Sequence, residues 1–205
     1  SKRNSDKVNE LSINQTKKKM RLCKFILLVL DINDYFEKIN SKILSSIFVE
    51  NRCYLILMNK IDTFKSFSKV RIVEHLYELN PQIKGVPILF VSAKKNIGFR
   101  QLELTIYKQI LSWNKRIRTN ELNKWLNKIT TENPPPMFRG NSVRFKYISQ
   151  VNTAPPKFTV FCNYPNSLND QYKRFISNKL KNKFDLSGLP IKLIFKNSVN
   201  PYDKN

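Results

Sequence analysis

Glycine is scarce in this sequence. Its 205 residues hold four, Gly85, Gly98, Gly140 and Gly188, separated by 13, 42 and 48 positions. A phosphate-cradling loop of the form GxxxxGK[ST] needs two glycines five apart, because the backbone must wrap a phosphate closely. No pair meets that spacing, and a GxGxxG dinucleotide fingerprint and a GxxG nucleic-acid loop fail on the same count. Cysteine is scarce as well. Cys23, Cys53 and Cys162 are odd in number and form no CxxC pair, so they suggest no disulfide framework and fit a reducing cytosol. His75 is the one histidine. It lies in an amphipathic helical pattern with no partner motif, which reads as a surface or core-edge residue and leaves zinc sites and Ser-His-Asp chemistry little to work with. The longest apolar run, Phe25 to Leu30, is too short to span a bilayer, and no small-residue cleavage site follows it. No membrane partner is expected. The chain starts at Ser1 rather than Met, as a processed or truncated chain does.

Negative charge is also in short supply. There are 15 Asp and Glu against 37 Lys and Arg, a net charge of +22. With 41% hydrophobic and 12% aromatic residues, the chain is too apolar for a disordered basic tail. A folded protein so charged calls for a polyanion or an anionic surface. An AT-rich genome would raise the Lys, Asn and Ile counts by itself and accounts for an undecided share. Residues 1–114 carry a net +10 and residues 115–205 a net +12, so the shorter part is the more one-sided.

Residues 1–21 are polar and basic, with a helix expected from about Lys7. Three continuous apolar runs follow: Lys24–Asp31, Cys53–Met58 and Pro87–Val91. Unbroken runs of this length are what strands buried on both faces look like. Helical patterns separate them. Ile39, Ile43, Leu44 and Ile47 share a face, as do Val70, Val73, Leu76 and Tyr77; Phe99, Leu102, Ile106, Ile110 and Trp113 recur after the third run. The alternation predicts a parallel sheet with crossover helices. Near residue 115 the pattern changes. Thr119 is placed to cap a helix carrying Leu122, Trp125, Leu126 and Ile129, ended by Pro134–Pro136. Ser142–Gln150 and Lys157–Cys162 alternate, as strands with one covered face do. Ser167–Asp170 has the spacing of a capping box and opens a second helix. Ile191–Lys196 closes the unit as a strand. The fold class is thus α/β for residues 1–114, followed by an α+β unit of order α-β-β-α-β for residues 115–205.

The sharpest motif is Asn59-Lys60-Ile61-Asp62, directly after the second run. An NKxD there can read guanine. A carboxylate at the fourth position accepts from N1–H and the exocyclic amine together, a pair of donors that adenine does not offer. Asn59 would tie the base edge to neighbouring loops, and the Lys60 stem would lie over the base plane. Ser92-Ala93-Lys94 follows the next run, where a small residue lets a backbone N–H approach the guanine carbonyl. Both motifs fall at the carboxyl ends of parallel strands, where open α/β sheets bind ligands.

These motifs resemble the translation-factor class of GTPases, and the second unit narrows the resemblance. Arg118–Leu126, Asn133–Pro136, Arg144–Gln150, Pro155–Phe158, Phe161–Pro165 and Phe184–Gly188 look like the C-terminal domain of the Der (EngA) family. Glu10-Leu11-Ser12 and Thr16 look like the helix after that family's second switch. The family comprises bacterial double GTPases of large ribosomal subunit assembly, and its last domain resembles a KH fold without the GxxG loop. The resemblance implies GTP or GDP as ligand, Mg²⁺ in the intact protein, ribosomal RNA and the large subunit as partners, and a cytoplasmic, ribosome-associated location. GTP would then change how the KH-like domain sits on ribosomal RNA.

Only the back half of the family's second G domain is matched. The P-loop, the first switch and the DxxG that holds magnesium and water have no counterpart, so the missing N-terminal GTPase portions are themselves expected partners. Asp185–Gly188 spells DxxG but falls at a helix end and reads as a turn. The three apolar strands should form half a sheet with one edge uncovered. Without GxxG, RNA binding would rest on phosphate contacts, with Arg116, Arg118, Arg139, Arg144, Lys146, Lys173 and Arg174 as candidates, joined by Lys179, Lys181 and Lys183. Phe145, Tyr147 and Phe158 could stack bases or fill a core. The alternative reading is a non-hydrolytic RNA-binding fragment whose G domain is only scaffold; a general polyanion or membrane-surface binder stands behind it.

Overall fold

The computed structural model describes residues 19–20 and 22–197. The expected helix from about Lys7, and Glu10–Ser12 and Thr16, lie outside the described residues. The chain divides into two compact units. One runs to Leu111 and also takes in Ser187–Pro190; the other comprises Ser112–Leu186 and the segment from Ile191.

The first unit is a three-stranded, wholly parallel sheet of order β1-β2-β3, with β1 at Phe25–Asp31, β2 at Cys53–Asn59 and β3 at Ile88–Phe90. Helices α1 (Lys38–Val49), α2 (Lys69–Leu79) and α3 (Phe99–Asn114) follow the strands in turn. Strand β2 is buried from Cys53 to Met58, and its side chains alternate between two cores. Tyr54, Ile56 and Met58 pack with Leu30, Leu44, Ile47 and Leu76. Leu55 and Leu57 pack with Val91 and Leu102. This is why the run reads as unbroken rather than alternating. The helix faces differ from the sequence pattern at two places. Val70 is 64% exposed, and Ile72 packs against the core instead. Ile110 is also exposed.

Strand β1 is covered unevenly. Ile26, Leu28 and Leu30 face the core with α1 and α2, whereas Leu27 and Val29 are exposed. On that side α3 supplies Leu102, Phe99 and Ile106 against Leu55, Leu57 and Leu89, and of β1 Phe25 joins this cluster. Among the described residues no strand pairs with the outer edge of β1.

The second unit has the order α-β-β-α-β. Its elements are α4 (Thr119–Glu132), β4 (Phe145–Asn152), β5 (Lys157–Cys162), α5 (Asp170–Lys183) and β6 (Lys192–Asn197). Strand β4 runs antiparallel to β5, and β5 parallel to β6, with β5 central. Leu122, Trp125, Leu126 and Ile129 of α4 and Ile176 and Leu180 of α5 are buried, as are Ile148, Phe158, Val160 and Cys162 of the sheet. Local signals shift slightly. Thr119 is the first helical residue, and Arg118 takes the N-cap position without a side-chain bond. Asn169, not Ser167, caps α5, accepting from the Tyr172 N–H at 2.8 Å. Ser167 instead donates to the Tyr164 carbonyl at 2.7 Å. Strand β4 starts later than Ser142 because the Asn163 side chain substitutes for a partner strand, accepting from Arg144 N–H at 2.8 Å and donating to the Ser142 carbonyl at 3.0 Å. Asp185–Gly188 lies in the turn after α5. No described helix is long and apolar enough to cross a membrane.

An unpaired strand edge beside exposed apolar side chains is a template for association. The isolated chain should self-associate with rising concentration, and Val29→Lys should shift sedimentation toward monomer without lowering the thermal midpoint. An unchanged monomer fraction would count against β1 as the contact.

Candidate functional site

The carboxyl ends of β1, β2 and β3 carry Asp31, Asn59 and the Val91–Ser92 segment. Register places Asp31 opposite Asn59. Backbone bonds continue the sheet past its strands: Ile32 N–H donates to the Asn59 carbonyl at 3.1 Å, and Val91 N–H to the Met58 carbonyl at 2.9 Å. Ile61 N–H then reaches the Val91 carbonyl at 3.3 Å, which brings the two motif loops together.

Side chains of the two motifs are hydrogen-bonded to one another across the loops. The Asn59 side-chain oxygen, Oδ1, accepts from the Ala93 N–H at 3.0 Å. The buried Ser92 hydroxyl donates to the Asp62 carboxylate at 2.5 Å and accepts from the Lys95 N–H at 3.1 Å. The hydroxyl holds the Asp62 carboxyl below the usual carboxylate range, with Lys95 and Lys94 adding a smaller electrostatic pull. Asp62 keeps an open oxygen, since a carboxylate has about four acceptor positions. Ala93 and Lys94 are exposed at the loop tip. That loop closes on itself: Ser92 and Ile97 pair backbone to backbone at 3.0 and 3.1 Å. Gly98 makes the closure possible. Its φ is +89°, and a Cβ there would sit 2.6 Å from the Phe90 carbonyl.

Lys60 adopts a left-handed conformation, φ 66°, and its ammonium lies 2.5 Å from the Asp31 carboxylate. Sequence reasoning missed this partner and Asn33, whose N–H and side-chain amide donate to Asp31 at 3.0 and 2.7 Å. The signal was present: an acidic residue ending the first apolar run, at the same end of the sheet as the NKxD. Lys60 is the largest cause of the lowered Asp31 pKa, followed by the Asn33 N–H, and Asp31 in turn raises Lys60. Asp31 therefore adds stability that is present above the ordinary carboxylate range and lost as pH falls through its depressed value. Thr63 completes the loop, donating to the Lys60 carbonyl at 2.8 Å.

The basic candidates of the second unit fall into two groups. Arg116 and Arg118 flank buried Ile117, whose N–H donates to the Gln150 side chain at 2.8 Å near the end of β4. Arg144 and Lys146 stand at its start, six or so residues and ~20 Å away at strand rise. Arg139 lies in the Phe138–Asn141 turn, its guanidinium 5.3 Å from the Phe138 ring centre. Phe138 and Tyr172 pack on one cluster with Val143, Cys162 and Leu168; Arg139, Arg144 and Lys173 each adjoin a member of that cluster in sequence. Lys173 pairs with Asp170 at 3.8 Å, and the Arg174 Nε donates to the Asp170 carbonyl at 3.2 Å. Lys181 is half-buried, and desolvation lowers its pKa. His75 is exposed and shares a 2.8 Å hydrogen bond with the Tyr35 hydroxyl.

Removing the Ser92 hydroxyl should release Asp62. In Ser92→Ala, the Asp62 carboxyl should titrate measurably higher than in the parent chain, followed by carboxyl-carbon NMR. An unmoved titration would mean that Ser92 does not set the charge of Asp62.

Residues 116–196 match the family described as the KH-domain-like of EngA bacterial GTPase enzymes, C-terminal. GTPase Der of Rickettsia prowazekii is 36% identical over 200 residues, covering 95% of this chain and 45% of that protein. GTPase Der of Parvibaculum lavamentivorans is 35% identical over 200 residues, 97% of this chain and 42% of that protein. For Cereibacter sphaeroides the values are 33% over 202 residues, 97% and 42%. A crystal structure of an Aquifex aeolicus Era variant bound to GDP.AlF4- aligns at a TM-score of 0.41 and 14% identity, covering 91% of this chain and 69% of that one, a likeness too loose to bear on function. Over nearly its whole length this chain is similar to GTPase Der, its residues 116–196 match the C-terminal domain described for EngA GTPases, and it spans less than half the length of those GTPase Der proteins.

Proposed function

We propose that this chain is the guanine-reading and RNA-anchoring part of a Der-like ribosome-assembly GTPase. Residues 1–114 would be the C-terminal part of a G domain, and residues 115–205 a KH-like domain on ribosomal RNA of the large subunit. One observation carries the guanine reading: Asp62, held ionised by Ser92, stands beside the Ala93 N–H that Asn59 fixes. The carboxylate would take the N1–H and amine edge, and the guanine carbonyl would share the Ala93 N–H with the Asn59 side chain. Leaving Asp62 unpaired disfavours adenine.

The residues present fit the base and not the phosphates. No glycine pair has the P-loop spacing, and among the described residues no group of three His, Cys, Asp or Glu could hold a metal ion. Phosphoryl transfer consists almost entirely of positioning and charge stabilisation around the β- and γ-phosphates and Mg²⁺, and no step through that metal is assigned to these residues. A second reading is a non-hydrolytic RNA-binding fragment with a degenerate G domain, in which the Lys60–Asp31 pair and the Asp62–Ser92 bond serve only to brace the loops.

The chain alone should hydrolyse no GTP. Turnover above background that Asp62→Asn abolishes would overturn this. For base reading, millimolar GMP should shift the amide signals of Ala93 and Asp62 in NMR spectra while AMP does not, and Asp62→Asn should remove the response, because an amide NH₂ faces the N1–H donor. No GMP response in the parent chain would favour the degenerate reading. Binding to ribosomal RNA should weaken steeply with salt; a flat dependence would refute phosphate contacts.

A further inference from the structure

The two helices of the second unit cover one face of its sheet, and that sorts the aromatic side chains. Phe158 is fully buried. Phe145 lies against Tyr172, ring centres 6.1 Å apart, and Phe195 joins the same cluster. Tyr147 and Phe161 are different. They are direct partners on β4 and β5, and residues paired across a sheet project to the same face. Their neighbours Ile148 and Val160 are buried under the helices, so alternation puts Tyr147 and Phe161 on the opposite face. There the two rings stack, 4.3 Å between centres and 18° between planes. Tyr147 remains 44% exposed.

The charge on that face has one sign. Lys196 is the β6 partner of Phe161, and Lys157 pairs with Lys192; Lys192 and Lys196 are exposed. Strands β4, β5 and β6 contain no Asp or Glu. A row of two stacked rings ending in a lysine, with the Lys157–Lys192 pair two rows along the same face, about 13 Å at strand rise, suits a planar ring carried on an anionic backbone. Stacking needs an exposed π-face and tolerates any base, while ammonium groups follow the phosphates.

We propose that this face, opposite the two helices and centred on Tyr147 and Phe161, with Lys196 beside them and Lys157 and Lys192 farther along the same strands, is a stacking platform for single-stranded RNA. This rests on the reading of the second unit as an RNA-binding body. It adds that unpaired bases are taken by the sheet, separately from the phosphate contacts of Arg139, Arg144, Lys173 and Arg174. Duplex RNA, whose bases already stack on one another, has no use for the platform.

The test uses the full chain and fluorescein-labelled eight-nucleotide oligouridine, oligoadenosine and a duplex of equal length, with anisotropy read across a salt series. Tyr147→Ala should weaken single-strand binding by about tenfold, leaving duplex affinity and the salt slope unchanged. Tyr147→Phe should retain binding. Tyr147→Leu, which keeps an apolar body without a π-face, should behave as the alanine variant does and also guards against loss of fold. Arg144→Ala should lower both affinities and the salt slope. Single-strand affinity unchanged in both Tyr147→Ala and Tyr147→Leu, with a normal salt slope, would overturn the platform and spare the RNA reading. Absence of any RNA binding by the parent chain at low salt would overturn both. A Tyr147→Ala effect on self-association alone would assign the face to a second copy of the chain and overturn the proposal.

Discussion

The burial of β2 on both sides is the constraint from which the first unit follows. Six consecutive residues, Cys53 to Met58, are out of water, so β2 needs a strand on each edge and a layer of helix on each face. Parallel neighbours satisfy the edges, and parallel strands bring their carboxyl ends to one rim. Asn59 is therefore delivered beside Asp31 by register and beside Ser92 and Ala93 by the exit of β3. The polar residues of the rim owe their closeness to the apolar run that precedes them. Fully burying one such side chain is worth about 1.5–3 kcal/mol, and six of them in a row outweigh the few rim hydrogen bonds, at about 0.5–1.5 kcal/mol net each for neutral pairs and about 1.5–3 kcal/mol for those to Asp31 and Asp62.

The second unit solves a different problem. Its sheet has one covered face, so each strand must divide its residues between oil and water. Strand β4 does this imperfectly, with irregular register on either side of Tyr147–Gln150. Bulges of that kind twist an edge strand and discourage pairing with foreign chains. The unit's described carboxylates, Glu121, Glu132, Asp170 and Asp185, lie on helices or in turns, and its strands are left purely cationic. The division of labour is plain: helices carry the mixed charge, strands the unmixed.

The unbroken apolar runs made β1, β2 and β3 legible, because double burial leaves a mark in composition. The NKxD and Ser-Ala-Lys motifs were legible because each follows such a run. Less was visible where two residues compete for one role. Val70 and Ile72 both lie near the apolar stripe of α2, and only the shape of the facing sheet decides for Ile72. Ser167 and Asn169 are both good caps; the turn at Pro165–Ser167 uses the serine hydroxyl and leaves the cap to Asn169. The Lys60–Asp31 pair was the hardest to see, since nothing local links residues 29 positions apart until the register of β1 and β2 is known. The aromatics of β4 and β5 likewise stayed ambiguous until register assigned each to a face.

Asp31 ends β1 and Ser92 follows β3, and each of these strands is hydrogen-bonded to one neighbour among the described residues, the central β2. Edge strands open before central ones do, and exchange their amide protons sooner. The Lys60 tether and the Ser92 and Ala93 contacts are thus fastened to the two outer planks of the sheet, while Asn59 leaves the inner one. The loop that carries Asn59 through Asp62 is rooted in the plank that opens last and braced on both flanks by planks that open sooner.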